Sequence, residues 1–281
     1  MLAIKGFKRD YDEWANLGNT RWSWDNIKPY YDKAFKQMQT STYQSPMPTR
    51  AMVLAAAEAM GLPVNDHSVH LGYQDINLTI NANQRFNTAK AYIVTANKRR
   101  NLCVMTNTAV ERVLFRRRDG PKAIGVLLQN EQKLYASKEV IMSAGAVMSP
   151  QLLMLSGIGP KSVLQPLRIP QIKELPGVGQ NLQDHLMFPG YLVKIPHLPI
   201  AVDAKQFLEG YCQTKDGPIG QIDIGEMVGW INTRNDSEYP DIQYMHMTML
   251  KKDQILSRSM SQNWVSMKYQ QIVLWPKVPR I

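Results

Sequence analysis

Ala144-Gly145-Ala146, set just ahead of Ser149-Pro150, are the residues whose types and spacing best suit the binding of an anion. Three small residues let a second backbone or a ligand come close. Ser149 is a good helix N-cap, and Pro150 suits a first helical position, where its missing N–H is not needed. The free N–H groups of a helix start attract a pyrophosphate or a similar group. Val140–Ser143, just before the turn, is a short apolar run of the kind that fills a strand buried on both faces. Leu152, Leu153 and Leu155 make the helix apolar, and Gly157 and Gly159 stop it. An ordinary strand–helix unit with no ligand satisfies the same pattern.

Other chemistry-bearing residues are few. The histidines are His67, His70, His185, His197 and His246, and the cysteines are Cys103 and Cys212. His67 and His70 are three apart in an expected loop, with no third ligand apparent, so no metal site is assigned. Two cysteines make no disulfide framework, and their spacing leaves both a reduced and a paired state open. A glycine-rich GxGxxG fingerprint, which would follow a first strand and open a helix, is absent.

Gly145-Ala146-Val147-Met148-Ser149-Pro150-Gln151-Leu152-Leu153-Met154-Leu155-Ser156-Gly157-Ile158-Gly159 resembles the second signature of the glucose–methanol–choline (GMC) oxidoreductases. Gly177-Val178-Gly179-Gln180-Asn181-Leu182-Gln183-Asp184-His185 is similar to the same family's GVGxNLQDH, in the same order. Met1–Gly6 resembles ML-x-x-RG, with Lys5 for the usual Arg, and Arg85–Tyr92 resembles R-W-S-T-A-x-A-[YF], with Asn87 for the usual Ser. The runs around Trp14 and Trp24, Asp216–Ile219 and Glu226–Ile231 are similar to insect, glucose-dehydrogenase-like members.

The resemblance implies an FAD-dependent enzyme that oxidises the CH–OH group of an alcohol or sugar, passing hydride to the flavin. It implies that Ala144 and Gly145 border the cofactor and that the backbone of Val110 meets its adenine; pattern alone favours plain core for Val110. It implies a histidine base from a C-terminal motif that none of the five histidines matches, so no catalytic residue is named. His185 reads as a structural hydrogen-bonding group. The fingerprint would lie upstream of Met1 and the base downstream of Ile281. The chain is therefore expected to be a fragment, an incomplete gene product or a degenerate paralogue, inactive alone. The other reading is a non-catalytic paralogue that keeps the fold as a binding or structural module.

These residues need an α/β, mixed α+β framework. The expected fold is an incomplete Rossmann-like FAD/NAD(P)-binding domain over 1–187, interrupted by an antiparallel meander, with part of a substrate-binding sheet over 188–281. Helices are expected at Asp10–Leu17, Ile27–Met38, Arg50–Met60 and Ala204–Cys212, and core packing for Trp14, Trp22 and Trp24. Strands are expected at Leu102–Thr106, Val110–Phe115, Ala123–Leu128, Lys133–Ala136, Tyr191–Ile195, Glu226–Ile231, Ile242–Met247 and Gln271–Leu274. Thr40–Pro48 reads as a linker and Pro63–Asn83 as irregular.

The 281 residues, 44% of them hydrophobic, suffice for a substantial core and exclude a disordered chain. The net charge of +10 is scattered except at Lys98-Arg99-Arg100 and Arg116-Arg117-Arg118, both in expected loops. Without a recognition motif that excess does not make a nucleic-acid binder. No apolar run reaches the ~18–20 residues of a membrane span. Met1–Lys5 is too short for a signal peptide, and since the insect relatives are often secreted, the compartment is left unassigned.

Overall fold

The computed structural model describes residues 2–45, 47–65, 70–188, 192–194, 204–214, 227–250 and 266–274. The chain divides into two compact units, one formed by residues 1–99 with 185–281, the other by 100–184.

The first unit is built on an antiparallel sheet. Its strands run in the order Ser41–Tyr43, Gly72–Leu78, Met227–Ile231, Ile242–Leu250, Ser266–Leu274 and Leu186–Phe188, with Leu192–Lys194 also paired to Ser266–Leu274. Met227 stands opposite both Asp75 and His246, which fixes the register at the sheet's centre. The expected strands after residue 186 form, as does the helix, at Ala204–Thr214.

Gly72–Leu78 corrects the irregular reading of 63–83. Ile76, Leu78 and Ile80 alternate, and the period of two sends all three into one cluster with Tyr43 and Met245. The linker reading of 40–48 is corrected too, because Ser41–Tyr43 pairs with this strand along the sheet edge. On helix Pro48–Ala59, Arg50 makes two bonds of 2.6 Å from Nε and Nη2 to the Asp75 carboxylate. Asp75 is 2% exposed in its side chain, and its own N–H donates to Asn65 Oδ1 at 2.9 Å.

Helices Lys8–Asn16 and Trp24–Met38 form as expected, within two or three residues at their starts. Trp14, Trp22 and Trp24 pack mainly against aromatic neighbours. Trp14 meets Trp22 edge-on at 5.6 Å, and Tyr11, Trp24, Tyr31 and Phe35 continue the chain of rings. Trp22 is nevertheless 51% exposed, so this is a surface ledge more than a core. The Gly6 N–H donates to Tyr31 Oη at 2.8 Å, and burial holds the Tyr31 phenol above its ordinary range, so it stays protonated.

Asn87 takes over the capping that a serine would give. Its Oδ1 accepts the Lys90 N–H at 3.0 Å where the helical segment Ala89–Val94 begins. Asn87→Ala is expected to cost about 1 kcal/mol in a urea melt, and Asn87→Ser almost nothing.

The second unit holds the meander. Val110–Arg116, Lys122–Leu128 and Lys133–Tyr135 form a three-stranded antiparallel sheet within a residue or so of expectation. Gly125 sits where a Cβ would lie 2.1 Å from the Leu134 carbonyl oxygen. Gly125→Ala is expected to push the third strand off the second and to cost at least about 2 kcal/mol, read as a lower urea midpoint.

Two expected strands do not form. Leu102–Thr106 and Val140–Ser143 are outside the described ladders, and Leu102, Val104, Met105 and Ile141 are exposed. Apolar content gives a segment the wish to be a buried strand, but the strand exists only where neighbours accept its hydrogen bonds. Among the described residues the unit's parallel pairing is limited to Ile158–Gly159 with Lys173–Glu174. No helix among the described residues is long and apolar enough to cross a membrane.

Candidate functional site

The site is built from one helix start and one strand start within the second unit. Helix Gly145–Leu155 opens five residues earlier than the sequence suggested. Ser149 is thus not its N-cap, and Pro150 lies inside the helix. Ala144 stands at the cap with no side chain to offer, so the first N–H groups are left without a side-chain partner at the cap. Ser149 serves the same turn from inside: its Oγ accepts the Ala144 N–H at 3.1 Å. The small-residue turn was legible, but its cap was misplaced: Ser149 lies inside the helix and accepts a bond from Ala144 instead of capping the start.

Gly145 has φ +90°, a backbone that an L side chain adopts only under strain. A Cβ placed there meets no atom within 4 Å. The glycine is needed for its backbone and for the open space in front of it, not to relieve a clash with the protein itself. Ala144, Gly145 and Ala146 are exposed, as are Val147 and Met148. A helix reading Gly-Ala-Val-Met with that much apolar surface open to one side can accept a ligand with a charged centre and apolar flanks.

Val110 is the first residue of strand Val110–Arg116, opposite Leu128, with an irregularity in pairing before Arg112. It is 38% exposed, so its plain-core reading does not hold. The strand and the helix pack on each other. Ser156, just past the helix, is buried; its Oγ accepts the Val113 N–H at 2.8 Å and donates to the Leu152 carbonyl at 2.5 Å. Sequence reasoning passed over Ser156, although a serine followed by the helix-ending Gly157 is a usual place for a hydroxyl to bond backward.

His185 is exposed at the end of 177–185, a stretch without regular structure in which Gly179 and Asn181 have positive φ. His246 is buried in strand Ile242–Leu250, beside Tyr73 at 5.3 Å between ring centres. His67 and His197 lie outside the described residues, and so does any metal reading that needs His67. Among the described residues no group of three His, Cys, Asp or Glu side chains could hold a metal ion. Cys103 and Cys212 are both free and exposed.

A sequence model of the family described as GMC oxidoreductase matches residues 1–187. The oxygen-dependent choline dehydrogenase of Photobacterium profundum is 35% identical over 274 residues, covering 87% of this chain and 47% of that protein. The mitochondrial choline dehydrogenase of Homo sapiens is 35% identical over 272 residues, covering 87% of this chain and 44% of that protein. The chain thus spans about half the length of the curated relatives it matches. Among solved structures, pyridoxine 4-oxidase from Mesorbium loti superposes with a TM-score of 0.75 at 20% identity, over 97% of this chain and 54% of that one. An FAD-dependent oxidoreductase from Chaetomium thermophilum superposes with a TM-score of 0.74 at 22% identity, over 96% of this chain and 59% of that one. These likenesses are of fold, and they cover the mixed α/β architecture with its antiparallel sheets.

Proposed function

We propose, from the premise that this chain belongs to the GMC oxidoreductase family, that residues 110 and 144–145 form part of the cradle of FAD in an alcohol-oxidising enzyme. The observation that supports this most is Gly145: a left-handed residue opening a helix, with free N–H groups and empty space ahead of it. The residues present fit a flavin nucleotide. The N–H groups after Ala144 would hold the pyrophosphate, and the backbone of Val110, a residue open to solvent, would border the adenine. FAD, when bound, supplies the hydride acceptor for oxidation of a CH–OH group.

What this chain's residues do is bind and orient. Ser149 keeps the Ala144 N–H turned inward, leaving the next N–H groups for the anion. The donor in this reading is a small alcohol, and the likeness to proteins named choline dehydrogenases supports choline beside sugars as a candidate. In this reading residues 1–187 serve the cofactor and residues 188–281 the substrate, a functional split distinct from the two compact units, in which residues 1–99 belong with 185–281.

The cradle so described meets the adenosine-diphosphate half of FAD. ADP should therefore compete with FAD for the purified chain, while riboflavin should not. Weak binding is expected, with no turnover of an alcohol by this polypeptide alone. Competition by riboflavin and none by ADP, in equilibrium dialysis, would count against the assignment. A yellow chain that reduces a dye with an alcohol would overturn the expectation that it is inactive by itself.

A further inference from the structure

We propose that Ser156 is a positioning residue for this cradle: its buried hydroxyl fixes the spacing between Val110 and the Ala144-Gly145 turn. The inference rests on the nucleotide reading above. The two contacts lie on different elements, since Val110 opens a strand and Gly145 opens a helix. No residue of helix Gly145–Leu155 is fully buried, so apolar packing gives the pair little registry. Apolar contact is also non-directional, and a helix can slide along a strand without losing much of it.

The Ser156 hydroxyl supplies the missing direction. A hydroxyl has one proton, and here it goes to the Leu152 carbonyl at 2.5 Å. The lone pairs then face the Val113 N–H, which donates at 2.8 Å. Val110–Arg116 is an edge strand of the three-stranded sheet, so N–H groups on its outer side meet no further strand there, and that of Val113 bonds Ser156 instead. Val113 and Ser156 are 5% and 6% exposed, so bulk solvent does not readily replace either partner. One buried side chain thereby ties the peptide three residues beyond Val110 to the last turn of the helix that Gly145 begins.

The test is a titration of the full ¹⁵N-labelled chain with ADP, following the amide signals of Val110 and Gly145. In the unmodified chain both should move with one midpoint. Ser156→Ala should weaken binding by about tenfold, as residues coupling two contacts do. Its Val110 signal should lose most of its response while Gly145 keeps responding. Ser156→Thr, which keeps the hydroxyl, should restore the common midpoint. If Ser156→Ala does not fold, Ser156→Cys, with a longer and weaker partner, should show the same change at smaller size. A Ser156→Ala chain that melts earlier but binds ADP with both signals moving together as before overturns the proposal alone. No response at either amide in the unmodified chain overturns the nucleotide reading, and this proposal with it.

Discussion

Gly145→Val is expected to abolish measurable binding of FAD and ADP to the chain while leaving it folded. Two effects add. Forcing a side chain into φ +90° costs roughly 1–2 kcal/mol and tilts the first turn of the helix away from its present course. The new Cβ and its methyl groups also project into space that no protein atom occupies within 4 Å of that position. A clash with the protein is thus not what makes the substitution harmful. The ligand would meet the side chain first, and close backbone approach to a pyrophosphate tolerates no branch. Gly145→Ala separates the two: it carries the strain with the smallest intrusion, so its affinity loss should be a fraction of that of valine. Dialysis against labelled ADP, paired with a thermal melt, distinguishes the outcomes. A valine variant that retains ADP affinity would mean that the open space at Gly145 is not the anion site.

Arg50→Ala is expected to lower the stability of the first unit by about 3 kcal/mol, the lower end of the range for breaking a buried pair. The lower end applies because the Arg50 side chain is 22% exposed, whereas that of Asp75 is 2% exposed. Removing the guanidinium strands a carboxylate in the middle of strand Gly72–Leu78, whose neighbours on both sides are hydrogen-bonded strands. Asp75 retains none of its Arg50 bonds in that variant. Replacing both partners together, Arg50→Met with Asp75→Leu, should recover much of the loss, because an apolar pair of similar volume has no charge to desolvate. Urea unfolding curves for the single and double variants check this, and a double variant less stable than Arg50→Ala would contradict it.

Much of the second unit was legible. The meander announced itself through alternating apolar residues between Arg118-Asp119-Gly120 and Gln129–Gln132, and its three strands need only one another. Leu102–Thr106 and Val140–Ser143 failed for the complementary reason. Their composition describes a strand's interior, but pairing is a property of two segments, and the described residues provide no partner for either. Gly72–Leu78 was overlooked because Asn and Asp weigh against a strand locally, whereas Ile76 and Leu78 decide the matter through contacts with Tyr43 and Met245. The candidate site divided along the same line. Gly145 could be read from residue type, since only glycine is at ease at φ +90°. That Ser149 bonds back to Ala144 and Ser156 across to Val113 depends on how the helix is placed, which no spacing reveals.

The sheet order has a consequence for biosynthesis. Strand Gly72–Leu78 is flanked on one side by Ser41–Tyr43 and on the other by Met227–Ile231. The second partner leaves the ribosome only after nearly 150 further residues have been made, which takes roughly ten to thirty seconds at common elongation speeds. Through that interval the strand's far edge, over Gly72, Tyr73, Gln74 and Asp75, has no permanent neighbour. The intervening 100–184 portion pairs strands close in sequence and can settle during the wait. A nascent chain halted shortly before Met227 should therefore present a finished inner module between unfinished flanks, with the exposed strand edge as the natural target for a chaperone.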